Sequence, residues 1–465
     1  VAVLPQVEEV GHRLQAGGPV DLAVEPQRQH AAGLLPADAQ GDQLLVVGHR
    51  GPAGRQEGFR SLDGFGPVQG PFGALLVHLG LTTEGLGHVE LVFGEFHIPA
   101  ADLVEITGDV EEEYSVEFID TRTNVVVHQA QIKNNHWVRT SRQYFTPWQI
   151  NVFRLKDKEL LFTHQYECKG KRVYIAFESK ALGDTLAWFQ LVDDFQKKYE
   201  CELICSTFMN NLFKEEYPHI QFVEPSETVH NLYAMYRVGW FYLPKGEIDF
   251  NKNVKNFRCQ TLGESAADIL GLPYLPVRPK LKVVNLGKPL LDDYVCIAVH
   301  STAQAKYWNN PNGWTDLVNY LREQGYQVVL LSKEGMTYMG NEVPAGVLQV
   351  PPGEIGIIMN YLLHSKLFVG IGSGLSWLSW ALNRPTCVIS GFSEPYTEVS
   401  DMIRIGANPN DCSACFNRYP MNAGDWNWCP DHKDTLRMFE CTRNISAQQV
   451  IDKISAYLPQ SKNTL

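Results

Sequence analysis

From about residue 110 onward, short apolar runs alternate with polar positions and are separated by turn formers. Tyr114–Ile119, Val125–Ala130, Gln149–Arg154 and Glu159–His164 are rich in β-branched and aromatic residues, as strands with one covered face are. Asp120–Asn124, Asn134–Asn135 and Lys156–Lys158 supply turns between them. Four or more strands at this spacing predict a small antiparallel barrel or sandwich over residues 105–170.

The rhythm changes at Lys171. Val173–Phe177 reads as a strand buried on both faces. Leu186–Tyr199 has helical spacing, Glu202–Cys205 a strand pattern, Phe208–Glu216 a helical one, and Ile220–Val223 a third strand. Leu262–Leu270 reads as a helix stopped by Gly271 and Pro273. A second set follows, with strands at Tyr294–Val299, Gln327–Leu331, Leu367–Val369 and Thr386–Ile389. Helices at Trp314–Glu323, Ile355–Leu363 and Leu375–Leu382 separate them. Such alternation predicts βαβ units on parallel sheets. The expected fold class is therefore α/β, two Rossmann-like domains over residues 171–290 and 291–410 facing a cleft. Ligands in such folds sit beyond the carboxyl ends of the strands, so the strand-to-helix turns come first.

Composition breaks near residue 100 of the 465. Residues 1–100 hold 17 of the 38 Gly, a single Ile (Ile98), and no Lys, Asn, Cys, Met, Tyr or Trp. Of the missing types, Lys, Asn, Tyr and Met share A/T-rich codons, so the segment reads like GC-rich DNA translated in a non-coding frame, and the chain starts at Val1. The expectation is a non-native extension with the native protein starting near Ala101; the alternative is a disordered Gly/Pro-rich leader. Neither reading gives the segment a function.

The net charge of −12 argues against nucleic acid as a partner, since such binding needs a basic face. The longest apolar stretch, Leu367–Leu382, is interrupted by Gly and Ser and falls short of the ~20 residues that span a bilayer. No basic and apolar leader opens the chain. A cytoplasmic protein without a membrane segment is expected.

Three places could carry chemistry. Ala181-Leu182-Gly183-Asp184-Thr185 forms the turn after the first α/β strand. Asp184 there is either a helix N-cap or a general base for an attacking hydroxyl. In the second α/β domain, the loop with Gln304 and Lys306 and the turn Ser373-Gly374-Leu375-Ser376 both follow strands. Helix-start N–H groups and a lysine charge suit a diphosphate; ordinary turn residues and a solvated lysine are the plain alternative. Third, Cys412, Cys415, Cys429 and Cys441 fall within thirty residues, with His432 three positions after Cys429. Four thiolates make a closed tetrahedral site for zinc or iron. His432 is a substitute ligand, and a disulfide pair or coincidence are the competing readings. A closed site implies a structural metal over residues 411–443, ahead of a C-terminal helix and tail at 444–465. Its distance in sequence from Lys306 and Ser373 suggests that donor binding would survive its loss.

Leu182-Gly-Asp184, Gln304-Ala-Lys-Tyr-Trp-Asn-Asn310, Ser373-Gly-Leu-Ser-Trp377, Ile389-Ser-Gly-Phe-Ser393 and the four-Cys segment together resemble the bacterial autotransporter heptosyltransferases. These are GT-B relatives of the lipopolysaccharide-core heptosyltransferases. The resemblance covers roughly residues 105–460. It implies an inverting transfer of heptose from ADP-heptose to Ser hydroxyls of a self-associating autotransporter adhesin. It further implies Asp184 as catalytic base; Ala181, Leu182, Gly183, Thr185, Gln304, Lys306, Ser373, Gly374, Leu375 and Ser376 at the substrates; and no catalytic divalent metal. One structural iron on the four cysteines and a dodecameric homo-oligomer are implied as well. Core-lipid relatives often carry an acidic residue and a His where Gly372 and Trp377 stand, which favours a protein acceptor. Transfer to a lipopolysaccharide-type glycan is the runner-up, and a non-catalytic nucleotide-binding adaptor using Trp137, Tyr144 and Trp148 is the rival from another class.

Overall fold

Two parallel sheets, each covered by helices, carry the chain from Arg172 to Ile405 in the computed structural model. The structure describes residues 47–49, 89–92, 103–107 and 111–458, apart from 333, 335–336, 339, 352 and 421–426. Ahead of the parallel sheets lie two antiparallel ones. The first joins β1 (Val47–His49), β2 (Val89–Val92), β3 (Leu103–Ile106) and β6 (His136–Arg139) in the order β1-β6-β3-β2. Two short strands of the first hundred residues thus pair with later ones; the rest of that segment, with the expectation attached to it, lies outside the described residues. The second sheet has the order β5-β4-β7-β8, from β4 (Glu113–Asp120), β5 (Val125–Lys133), β7 (Trp148–Arg154) and β8 (Leu160–Gln165). These are the four strands that the alternation predicts. Val116, Phe118, Ile150 and Val152 are fully buried beneath them.

The first parallel sheet contains β9 (Arg172–Phe177), β10 (Glu202–Ser206), β11 (Gln221–Phe222) and β12 (Ala234–Val238), ordered β11-β10-β9-β12. Helix α1 (Leu182–Tyr199) follows β9 and α2 (Leu262–Leu270) follows β12. A capping box between Thr261 and Glu264 starts α2, and Gly271 ends it at φ 64°. The expected helix at Phe208–Glu216 is only one 3-10 turn, Asn210–Leu212. The side chain of Asn210 replaces the helical ladder there. It accepts from Thr207 N and Oγ1 and donates to Val223 O at 2.7 Å.

The second parallel sheet has the order β17-β14-β13-β18-β19-β20. Its first half holds β13 (Tyr294–Ile297), α3 (Gly313–Glu323), β14 (Gln327–Leu331) and β17 (Leu348–Val350), with a small hairpin of β15 (Thr337–Tyr338) and β16 (Asn341–Glu342) on the way. Its second half holds α4 (Ile355–His364), β18 (Leu367–Ile371), α5 (Gly374–Ala381), β19 (Thr386–Ile389) and β20 (Ile403–Ile405). Strands β13 and β18 are buried along their whole length, as central parallel strands are. Two short helices, α6 (Cys415–Arg418) and α7 (Glu440–Arg443), lie in the cysteine segment, and α8 (Ala447–Ile454) closes the chain against the second sheet's core through Val450 and Ile454. No helix among the described residues is long and apolar enough to cross a membrane.

Strand order reverses direction between β9 and β12 in one sheet, and between β13 and β18 in the other. The loops that follow these four strands are where a ligand is expected.

Candidate active site

Asp184 stands in the first turn of α1, but it is not the N-cap. Ala181 holds that position and makes no side-chain cap, so the capping alternative for Asp184 does not describe this helix. The carboxyl instead turns to two partners that sequence reasoning missed. Its Oδ2 accepts from Ser179 Oγ at 2.5 Å and from Trp240 Nε1 at 2.9 Å. Ser179 follows β9, and Trp240 follows β12, the strand across the switch point. The rule about strand ends could have found Trp240, had Ala234–Val238 been read as a strand.

Asp184 is half-buried, with its carboxyl engaged by Ser179 and Trp240. Desolvation therefore raises its pKa above the usual 3.8; the bonds from Ser179 and Trp240 and the charge of Lys306 act the other way. Lys306 comes from the 3-10 turn Gln304–Lys306 after β13. Burial lowers its pKa from 10.5, opposed by the charges of Asp184 and Glu398. Glu398 is itself raised by burial, against the pull of Arg404, Ser393 and Lys306. The lysine thus feels the charges of two carboxyl groups, one from each α/β half. Its Nζ sits 5.4 Å from the centroid of the Phe392 ring.

The two helix starts meet glycine to glycine. A Cβ on Gly374 would lie 2.9 Å from Leu182 Cβ and 3.2 Å from Gly183 N, and one on Gly183 would lie 3.0 Å from the Trp377 ring. Only bare backbone lets α1 and α5 come this close. Ser373 is the N-cap of α5, but its side chain caps nothing, and its Oγ is buried with no hydrogen-bond partner. With the unpaired first-turn N–H groups of Gly374 and Leu375, this hydroxyl fits an anion. Ser376 and Thr185 differ. Ser376 Oγ donates to Ile371 O at 2.6 Å and Thr185 Oγ1 to Ala181 O at 3.0 Å, so both hydroxyls are committed to the helix starts. Gln304 gives its carbonyl to Tyr307 N and to Asn309 Nδ2.

The rest of the Gln304–Asn310 run anchors the loop to the end of the cysteine segment. Trp308 Nε1 donates to Ile445 O at 2.9 Å, Asn309 Nδ2 to Thr442 Oγ1 at 3.1 Å, and Asn310 Nδ2 to Arg443 O at 3.0 Å. Ala303, Ala305, Phe392, Cys415, Cys429 and Phe439 share one small apolar core. The lysine loop and the cysteine segment, far apart in sequence, are one packed unit.

The four cysteines are free thiols, three of them buried and Cys412 half-buried. Cys415 is raised by burial and then by the charges of Cys412, Cys441 and Cys429; Cys441 is pushed up to about 12 by burial, Cys412 and Cys429. Among the described residues, two groups of three donors come within 4.8 Å of one another: Cys412, His432 and Glu440; and Cys412, Cys415 and Asp431. In each the carboxylate already serves an arginine, Glu440 that of Arg437 and Asp431 that of Arg418. Cys412 donates weakly to Asp431 and Cys415 accepts from Arg418; Cys412, Cys415 and His432 suit a thiophilic metal, whereas Cys429 and Cys441 are in neither group.

Of the aromatics considered for an adaptor, Trp148 is core, 2% exposed and edge-on to Phe118. Tyr144 lies under the Arg142 guanidinium.

Residues 278–422 match the model of glycosyltransferase family 9 (heptosyltransferase). The autotransporter heptosyltransferase Aah of Escherichia coli is 35% identical over 348 residues, 73% of this chain and 87% of Aah. The crystal structure of TibC from enterotoxigenic E. coli H10407, an iron-containing dodecameric glycosyltransferase, superposes with TM-score 0.71 at 32% identity, covering 81% of this chain and 97% of TibC. TibC is also known in complex with ADP-D-beta-D-heptose. BimC of Burkholderia thailandensis, described as an inactive autotransporter heptosyltransferase, is 30% identical over 346 residues, 73% of this chain and 80% of BimC.

Proposed function

The chain belongs to the autotransporter heptosyltransferases and is a glycosyltransferase; from that premise we propose that it moves heptose from ADP-heptose to Ser hydroxyls of an autotransporter adhesin, with inversion at the anomeric carbon. The carrying observation is that the charges of Asp184 and Lys306, from strand-end turns of the two parallel sheets, act on each other while burial displaces the pKa of each, with the two helix starts in contact at Gly183 and Gly374. In this reading Asp184 takes the proton of the Ser hydroxyl as its oxygen attacks the anomeric carbon. The bond from that carbon to the β-phosphate oxygen breaks on the opposite face, and ADP leaves with the electron pair. Lys306 and the Ser373–Leu375 turn stabilise the departing diphosphate, so no divalent metal is needed for the step. Ala181, Leu182 and Gly183 shape the acceptor side of the cleft. Thr185, Ser376 and Gln304 support it through the backbone bonds they make.

Likeness to TibC, an iron-containing dodecamer, supports iron and a dodecamer here; the one iron per chain is our reading of the four cysteines. Cys412, Cys415, Cys429 and Cys441 would hold the metal, with His432 in reserve. The metal's chemistry there is cross-linking. Ten free thiols suit the reducing cytoplasm.

The test is to co-express the chain with a candidate adhesin and weigh the adhesin. Added heptose on Ser, lost in Asp184→Asn, is the expected result. Unmodified adhesin, with no ADP released from ADP-heptose in the purified mixture, would place the chain beside the inactive relative.

A further inference from the structure

Three aromatic rings run between the two charged groups of the cleft. Trp240, whose Nε1 donates to Asp184, meets the Phe416 ring edge-on, with centroids 6.0 Å apart and planes at 88°. Phe416 meets Phe392 at 5.6 Å, and its backbone N–H donates to Phe392 O at 3.0 Å. Phe392 in turn carries the Lys306 ammonium over its ring. The middle ring follows Cys415 directly in α6. Trp188 from α1 and Phe257 hold the other sides of Trp240, at 5.5 and 4.9 Å.

We propose that Phe416 is a positioning residue: through Trp240 it aims Asp184, and through Phe392 it seats Lys306, so that the cysteine segment sets the relation of the two. This rests on the reading of Asp184 as the base. Among the described residues, the charged groups that act on the pair are few. Lys306 faces Asp184; Asp184 and Glu398 face Lys306; and Glu398 is held by Arg404. None of them lies on the ring bridge. Loosening the bridge therefore alters hydrogen bonding to Asp184 and the cation's seat without removing a charge.

Three variants of the full chain test this, each first weighed for metal content and melted to establish folding. Trp240→Phe keeps an aromatic ring and removes the pyrrole half of the indole, with the N–H that favours the ionised carboxylate. Its acid limb of kcat/KM should move up by about one pH unit, the worth of a charge-assisted bond, with calorimetric ADP affinity unchanged. Phe416→Leu keeps bulk and removes the ring. It should move the acid limb the same way and weaken ADP binding by roughly two- to fivefold, the scale of an exposed cation–π contact. Phe416→Tyr, which keeps the ring, should restore both. Phe416→Leu with native metal content, acid limb and ADP affinity overturns the proposal. So does a shift in Trp240→Phe that Phe416→Leu fails to share, since Trp240 then acts without the cysteine segment. Undiminished transfer by Asp184→Asn is a different failure, that of the base assignment beneath it.

Discussion

A general base is useful at neutral pH when its environment resists ionisation without forbidding it, and Asp184 is held in that balance by burial on one side and Ser179, Trp240 and Lys306 on the other. Asp184→Asn should cost ~10²–10⁴-fold in transfer while ADP affinity stays near native by calorimetry. A carboxyl whose folded pKa lies above its unfolded 3.8 binds its proton more tightly in the folded state. Its contribution to stability is present at low pH and lost as pH rises through that raised value. Removing the charge should therefore leave the melting temperature level or higher, so lost activity could not be put down to unfolding. The pH profile follows from the same directions. Activity should fall on the acid side at a pH above the ordinary carboxylate range. On the alkaline side it should fall below the usual lysine range as Lys306 loses its charge. Lys306→Ala should remove the alkaline limb and weaken ADP binding by about tenfold or more, rescued in part by high donor concentration. Much of this was legible in the sequence. A turn after a buried strand marks Asp184 and Lys306 because strand ends are where parallel sheets present side chains. Ser179 and Trp240 were not legible, since only strand pairing across the switch point brings Trp240 to Asp184.

At the scale of elements, the site depends on two helix starts that nearly touch. Gly374→Ala places a methyl group 2.9 Å from Leu182 Cβ and 3.2 Å from Gly183 N, one of them backbone. Helix α5 must retreat from α1, at a cost of about 1–3 kcal/mol. The expected result is a folded protein with a lower melting temperature and transfer reduced more than tenfold. Near-native activity would show that the seam yields without moving the site. Gly183→Ala should be milder, because its nearest neighbour is a tryptophan ring edge at 3.0 Å. The sequence carried the glycines but not their meeting, which joins elements nearly two hundred residues apart. Legibility of the elements followed their burial. Long apolar strands such as β13 and β18 and the capped helix α2 stand out by pattern. Strand β12 mixes Arg237 with half-buried positions, β20 has three residues, and β11 has two. Such strands are made by their neighbours.

The whole molecule changes what the cysteine segment is expected to do. Its sequence distance from Lys306 suggested that donor binding would outlast loss of the metal, but the fold packs Cys415 and Cys429 against Ala303 and Ala305, beside the lysine. The carbonyls of Arg443 and Ile445 hold Asn310 and Trp308 at the other end of the same loop. Gly391 fits only because it has no Cβ, which would lie 2.4 Å from Cys441 O. Cys429→Ser should therefore act at two ranges. Metal should be lost, the melting temperature should drop, and assemblies should become smaller, because a closed site contributes folding energy directly. In the protein that remains folded, ADP affinity should fall with the lysine loop's support, while the seam between α1 and α5, which the segment does not form, keeps the two helix starts together. Chelation of the native protein should reproduce the pattern, and readdition of iron should reverse it. Elemental analysis, melting and calorimetry on one preparation separate the outcomes. Lost metal with native ADP affinity would mean that the loop stands on its own hydrogen bonds to residues 442–445. Full metal in Cys429→Ser would move a ligand role to His432, the uncommitted donor beside Cys412.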